Sequence, residues 1–239
     1  MAEAEFQALQ ARLRTVWPTV TLRSIGDVER TVVVVHSISI DVPDSLIPVF
    51  PAYEERFLCL VLSLLRAPRS RVVYVTSQPI HPRLLDYYFQ LVPDLDTEEA
   101  RSRFRQVTLV DGRNEPLTRK LLARPGAIAR IKRMIGKPEL ALLVPFCMTE
   151  DEARLAVALG IPAYGCDPAL NDLGTKVGSR RIFAEEGVPH PAGLEVDGRA
   201  DLPGALAELR RRRPSLHGAV LKLDQGVSGL GNAIVDVRS

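Results

Sequence analysis

The residues best placed to do chemistry lie in one stretch, 218–237, GAVLKLDQGVSGLGNAIVDV. Two apolar runs, Ala219 to Leu223 and Ala233 to Val237, flank a loop holding Gly226, Gly229 and Gly231. Lys222 stands near the end of the first run, and the second run alternates apolar and polar residues as a half-buried strand does. The pattern predicts a β-hairpin with a long glycine-rich tip and a lysine on the strand that enters it. Glycines let backbone N–H groups come close to a ligand. Successive N–H groups facing one concavity suit an anion, and a nearby lysine adds a point charge for phosphate. This is neither a Walker A loop, which closes on Lys-Ser/Thr and leads into a helix, nor a dinucleotide fingerprint, whose glycine spacing differs. A glycine-rich flap between two strands, lying over phosphates, is the closer arrangement. The plain alternative is a hairpin tip that uses glycine only to turn.

Composition bounds the chain's class. The 239 residues are 46% hydrophobic and 25% charged, with a net charge of +2, as in an ordinary globular protein of one large or two modest domains. That charge is too small to imply a nucleic acid or a membrane surface, and 5% aromatics argues against a base-stacking platform. Cys59, Cys147 and Cys166 are far apart and odd in number, so buried free thiols in a reducing cytoplasm are expected. The four histidines, His36, His81, His190 and His217, show no ligand spacing, and no metal site is read from Cys or His. No signal pattern opens the chain, and its longest apolar run, Phe57 to Leu65, is far short of a membrane span.

The elements that must position the hairpin follow from periodicity. Phe6, Leu9 and Leu13 predict a helix over 3–15. The run TVVVV at 31–35 predicts a parallel strand buried on both faces. A helix over 53–66 stopped by Pro68, a strand over 71–77, a helix over 83–92, and a strand over 106–112 follow. Next come a helix over 117–135 interrupted at Pro125-Gly126, a strand over 139–146, and a helix over 149–159. Thr149 and Glu152 form a capping box for that last helix, and Gly160 closes it. Strict alternation predicts an α/β fold with an open, mostly parallel sheet. In such sheets ligands sit at the carboxyl ends of strands, which makes His36, Ser37, Thr76, Ser77 and Asp111 candidates. Short polar residues there also cap helices and satisfy turns.

The Pro-, Gly- and Asp/Asn-rich stretch 161–173 marks a boundary. A helix over 174–186 follows, with Lys176 in its first turn, against the helix dipole. That placement becomes sensible if an anion uses both the helix end and the ammonium. After the turn GVPHPAG, a helix over 201–213 ends in Arg210–Arg213, read as a solvated, dipole-complementing run rather than a nucleic-acid patch.

The segment GTKVGSRRIFAEEGVPHPAG, followed by a helix and VLKLDQGVSGLGNAIV, resembles the first half of an ATP-grasp domain. Upstream, YEERFLCLVLSLLR, RVVYVTSQPIHP, LDYYFQL and LVPFCMTEDEARLAVALGIPAYG are similar to the peptide-ligase group related to the pheganomycin ligase. The resemblance runs over nearly all the chain from about residue 30. It implies a Rossmann-like pre-ATP-grasp domain over 1–163 and the start of an ATP-grasp module over 164–239. It implies an ATP-dependent carboxylate–amine ligase working through an acyl phosphate, with ATP and Mg²⁺ as cofactors. Lys176 and Lys222 match the family's two phosphate-facing lysines, and Gly226, Val227, Ser228, Gly229, Leu230 and Gly231 match the flap, with Ser228 a hydroxyl donor. The family's Mg²⁺ ligands and the arginine facing the acyl phosphate follow the flap and have no counterpart up to Ser239. The expectation is therefore a chain inactive alone, completed by a C-terminal half or a separate chain. It would act on a carboxylate and an amine in the cytoplasm, with no nucleic acid or membrane partner, and it could form homo-oligomers. The alternative is a non-catalytic interaction or substrate-binding module derived from such a ligase. A dinucleotide oxidoreductase would need G-x-G-x-x-G after the first strand, where HSISIDVPD stands.

Overall fold

The computed structural model describes residues 2–21, 28–40, 44–226, 229 and 231–238. The chain divides into two compact units, Met1–Pro168 and Ala169–Ser239.

The first unit is built on four parallel strands, β1 (Arg30–Val35), β2 (Ser70–Thr76), β3 (Phe104–Thr108) and β4 (Ala141–Pro145), in the order β3-β2-β1-β4. Strand β1 is buried at every position, as its β-branched run predicts. Alternate residues feed two cores. Val33, Val35, Val73, Val75, Val107 and Leu143 face one side, against helices α1 (Ala2–Thr21), α6 (Leu117–Leu122), α7 (Pro125–Met134) and α8 (Glu150–Leu159). Val32, Val34, Val72, Tyr74, Phe104 and Leu142 face the other. That side meets α2 (Phe50–Arg56), α3 (Leu58–Val61), α4 (Pro82–Gln90) and α5 (Thr97–Arg103). This is the α/β, Rossmann-like architecture expected. Burying about a dozen large side chains on each face, at roughly 1.5–3 kcal/mol apiece, supplies the driving force for this unit.

Several elements depart from the sequence reading. The lead-in helix runs on to Thr21. The helix expected over 53–66 is broken at Phe57 and ends in a 3₁₀ turn, Leu62–Arg66. The Phe57 ring at the break stacks on Phe146, with centroids 4.4 Å apart. Strand β3 starts two residues earlier than predicted and stops at Thr108, because Val110 adopts φ 51°, a conformation costly for a β-branched residue. Helix α5 is missing from the sequence reading. Asp96 caps it by accepting from the Glu98 and Glu99 N–H groups, and only Ala100 is buried. The α8 capping box and the left-handed Gly160 are as expected.

The second unit holds α9 (Lys176–Glu185), α10 (Leu202–Arg212) and an antiparallel hairpin of β5 (Gly218–Lys222) and β6 (Asn232–Asp236). Its elements bury little. Strand β6, expected half-buried, is mostly exposed: Ile234 is 86% accessible, opposite Val220 at 56%. Alternation predicts which side of a strand is apolar, not that something covers it. Among the described residues no helix is long and apolar enough to cross a membrane. The cysteines are free but not all buried: Cys59 and Cys147 are half-buried and Cys166 is exposed.

Candidate functional site

Register fixes the geometry at the hairpin tip. Lys222 is the last residue of β5, paired with Asn232, and Leu223 N–H donates to the Gly231 carbonyl at 2.9 Å. Asn232 N–H donates to the Gly229 carbonyl. Gly229 and Gly231 have φ +81° and +74°, which L-residues adopt rarely, so glycine at these two positions is a backbone requirement. Lys222 is exposed. Val227, Ser228 and Leu230 lie outside the described residues.

Lys176 reaches this tip from a different element. Its ammonium donates to the carbonyls of Asp224, at 3.2 Å, and Gly226, at 3.1 Å. Asp224 also accepts through its side chain: Oδ1 takes the Val177 N–H at 2.7 Å, and the Asp224 carbonyl takes the Lys176 N–H at 3.4 Å. Thr175 is the N-cap of α9, its hydroxyl accepting from Gly178 N–H at 3.0 Å. The structure thus brings Lys176 to the loop that follows Lys222. It also corrects one expectation: the N–H groups opening α9 are taken by Asp224 and Thr175, so the helix end is not vacant for an external anion. The sequence reading missed Asp224, whose signal was a carboxylate two residues past the strand lysine.

The five strand-end candidates of the first unit are buried, each with a partner. Ser37 Oγ accepts from the Thr118 N–H in the first turn of α6. Thr76 Oγ1 accepts from Gln106. Ser77 donates its hydroxyl to Glu54 at 2.8 Å, gives Glu54 its N–H as well, and accepts from Lys120 Nζ at 3.0 Å. Glu54 and Lys120, both buried, were not singled out from sequence. Glu54 lies one and two turns ahead of the buried Leu58 and Val61, a position on the apolar face that was the available signal. Burial pushes the Glu54 carboxyl up, opposed by the Ser77 hydrogen bonds and the Lys120 charge. Burial pushes Lys120 down. Hydrogen bonds from the Arg113 side chain hold Asp111 well below the usual carboxylate range, against its burial, and Arg124 pairs with it at 2.9 Å. His36 sits edge-on to Phe57 and Tyr74, and burial lowers it to about 4. These contacts tie the strand ends to neighbouring strands, loops and helices and leave none of the five presented to solvent. Among the described residues no group of three or more His, Cys, Asp or Glu side chains is placed to hold a metal.

The chain is similar to two curated proteins. It is 30% identical over 190 residues to the IQ motif-containing protein H of Danio rerio, across 72% of this chain and 18% of that protein. It is 26% identical over 190 residues to the L-propargylglycine–L-glutamate ligase of Streptantibioticus cattleyicolor, across 76% of this chain and 39% of that enzyme. The chain therefore spans well under half the length of either relative. No protein-family model matches it. No solved structure matches it.

Proposed function

We propose that the chain is the N-terminal part of an ATP-dependent carboxylate–amine ligase of the ATP-grasp type, with its phosphate grip in residues 169–239. The observation that carries this reading is the convergence of Lys176 on the carbonyls of Asp224 and Gly226, at the loop that Lys222 enters. Similarity to the Streptantibioticus ligase supports ligase-type chemistry. Lys222 and Lys176 neutralise the α- and β-phosphates. The N–H groups of Gly226, Gly229 and Gly231 line the β- and γ-phosphates and keep water out, and the family resemblance adds Val227, Ser228 and Leu230 to the same flap. The reaction class is amide formation through an acyl phosphate. A carboxylate oxygen attacks the γ-phosphorus and ADP leaves; the amine then attacks the acyl carbon and inorganic phosphate leaves. Among the described residues no group of three or more His, Cys, Asp or Glu side chains is placed to hold a metal, so no residue is assigned to Mg²⁺ and no step runs through it.

The test is amine-dependent turnover by the intact protein, supplied with ATP and pairs of amino acids. ADP and inorganic phosphate as products, with hydroxylamine trapping the activated carboxylate, are expected. AMP and pyrophosphate would contradict the acyl-phosphate route. A second reading is a non-catalytic module derived from such a ligase, carried within a larger protein as in the 30% identical stretch of the IQ motif-containing protein H. It requires that the intact protein turn over no ATP with any amine.

A further inference from the structure

We propose that Asp224 is a positioning residue of the phosphate grip, a two-point clamp that sets Lys176 and Lys222 against one anion; this rests on the phosphate-binding reading above. The two lysines lie on separate elements, and neither element is long enough or buried enough to fix the other by packing: α9 has no buried residue, and β5 alternates between exposed and half-buried. What joins them is polar. One residue, Asp224, uses both of its acceptor groups on two successive residues of α9. Its carbonyl takes the Lys176 N–H and the Lys176 ammonium, and its carboxylate takes the Val177 N–H. Three bonds from one residue to two adjacent residues fix orientation as well as distance. The carboxylate bond is charge-assisted and sits at the positive end of the helix, where it is strongest.

The clamp has a consequence for the ligand. An ammonium has three donors. Lys176 gives one to Asp224 and one to Gly226, which leaves one for a phosphate oxygen and fixes its direction. The helix N–H groups of Val177 and Gly178 are already engaged, so anion selectivity falls to the two lysines and the loop backbone. Loss of the clamp should therefore weaken recognition of a triphosphate more than recognition of a monophosphate.

The test compares ATP and AMP affinities, with Mg²⁺ present, of the intact protein and its Asp224→Ala and Asp224→Asn variants. Asp224→Ala is expected to lose about tenfold in ATP affinity and only about threefold in AMP affinity, because AMP offers the two lysines one phosphate instead of two. Asp224→Asn keeps an acceptor for the Val177 N–H and is expected to stay within about threefold of wild type for ATP. Equal ATP affinity in wild type and Asp224→Ala would overturn the clamp and leave the phosphate-binding reading standing. Parallel loss of ATP and AMP in Asp224→Ala would also overturn it, because a general structural role would not discriminate by phosphate number. Should the alanine variant not fold, an Asp224→Asn affinity reduced as far as that of Lys222→Ala overturns it. A wild-type protein that fails to prefer ATP over AMP defeats the phosphate-binding reading, and the clamp with it.

Discussion

His36 shows how a residue at a ligand-favoured position can serve the fold instead. Its ring packs edge-on against Phe57 and Tyr74, and its Nδ1 lies 3.4 Å from the Tyr74 hydroxyl. Charging it there is unfavourable, which is why burial holds it at about 4, below its ordinary 6.5. The folded pKa lies below the unfolded one, so the unfolded chain takes up the proton first as pH falls. Stability from this group is complete above about pH 6.5 and is lost as pH falls through about 4. Urea unfolding between pH 7 and 4 should show a loss of up to about 3 kcal/mol from this site, and His36→Leu should flatten that part of the profile. An unchanged slope in the variant would show that His36 is not the titrating group. The same lesson applies to Ser77 and Asp111. A carboxyl-end position singles a residue out, but its partners, Glu54, Lys120 and Arg124 from other elements and Arg113 two residues along the loop, decide what it does.

At the scale of elements, local signals carried most of the fold. The valine run of β1, the Thr149–Glu152 capping box and the two apolar runs of the hairpin are short-range patterns, and each formed the element expected. Three features were illegible because long-range or single-residue effects decide them. Helix α5 is short and charged, with one buried alanine, so it has no apolar stripe to read. The end of β3 depends on a positive φ at Val110 that no propensity announces. The Asp224 clamp joins residues far apart in sequence. Two glycines test the element-level picture by substitution. A Cβ on Gly178 would meet the Asp172 carbonyl oxygen at 1.9 Å, whereas one on Gly126 meets nothing within 4 Å. Gly178→Ala should destabilise the second unit by about 1–3 kcal/mol and displace the start of α9. Gly126→Ala should be neutral or gain up to about 1 kcal/mol. Equal effects by thermal denaturation would contradict the packing assigned at α9.

On the scale of the whole molecule, the two units contrast in how they are held. Of the buried apolar residues among those described, all but Val237 belong to Met1–Pro168. That segment should fold cooperatively when expressed by itself, giving one sigmoidal denaturant transition; a broad, non-cooperative transition would show that it needs more chain. The second unit presents Val220, Leu223 and Ile234 to solvent, and polar contacts around Asp224 organise its tip. A groove of about 750 Å³ also lies in this unit, between α10 and the end of the hairpin away from the loop, so its volume is no guide to the phosphate grip. Everything functional in this account depends on that tip being an anion site. The most direct measurement is calorimetric titration of Mg²⁺–ATP into the intact protein and into Lys222→Ala. Removing an ammonium from a phosphate contact should weaken binding by about tenfold or more while the unfolding midpoint stays the same. Equal affinity in the two proteins would contradict the assignment of the hairpin tip as the phosphate grip.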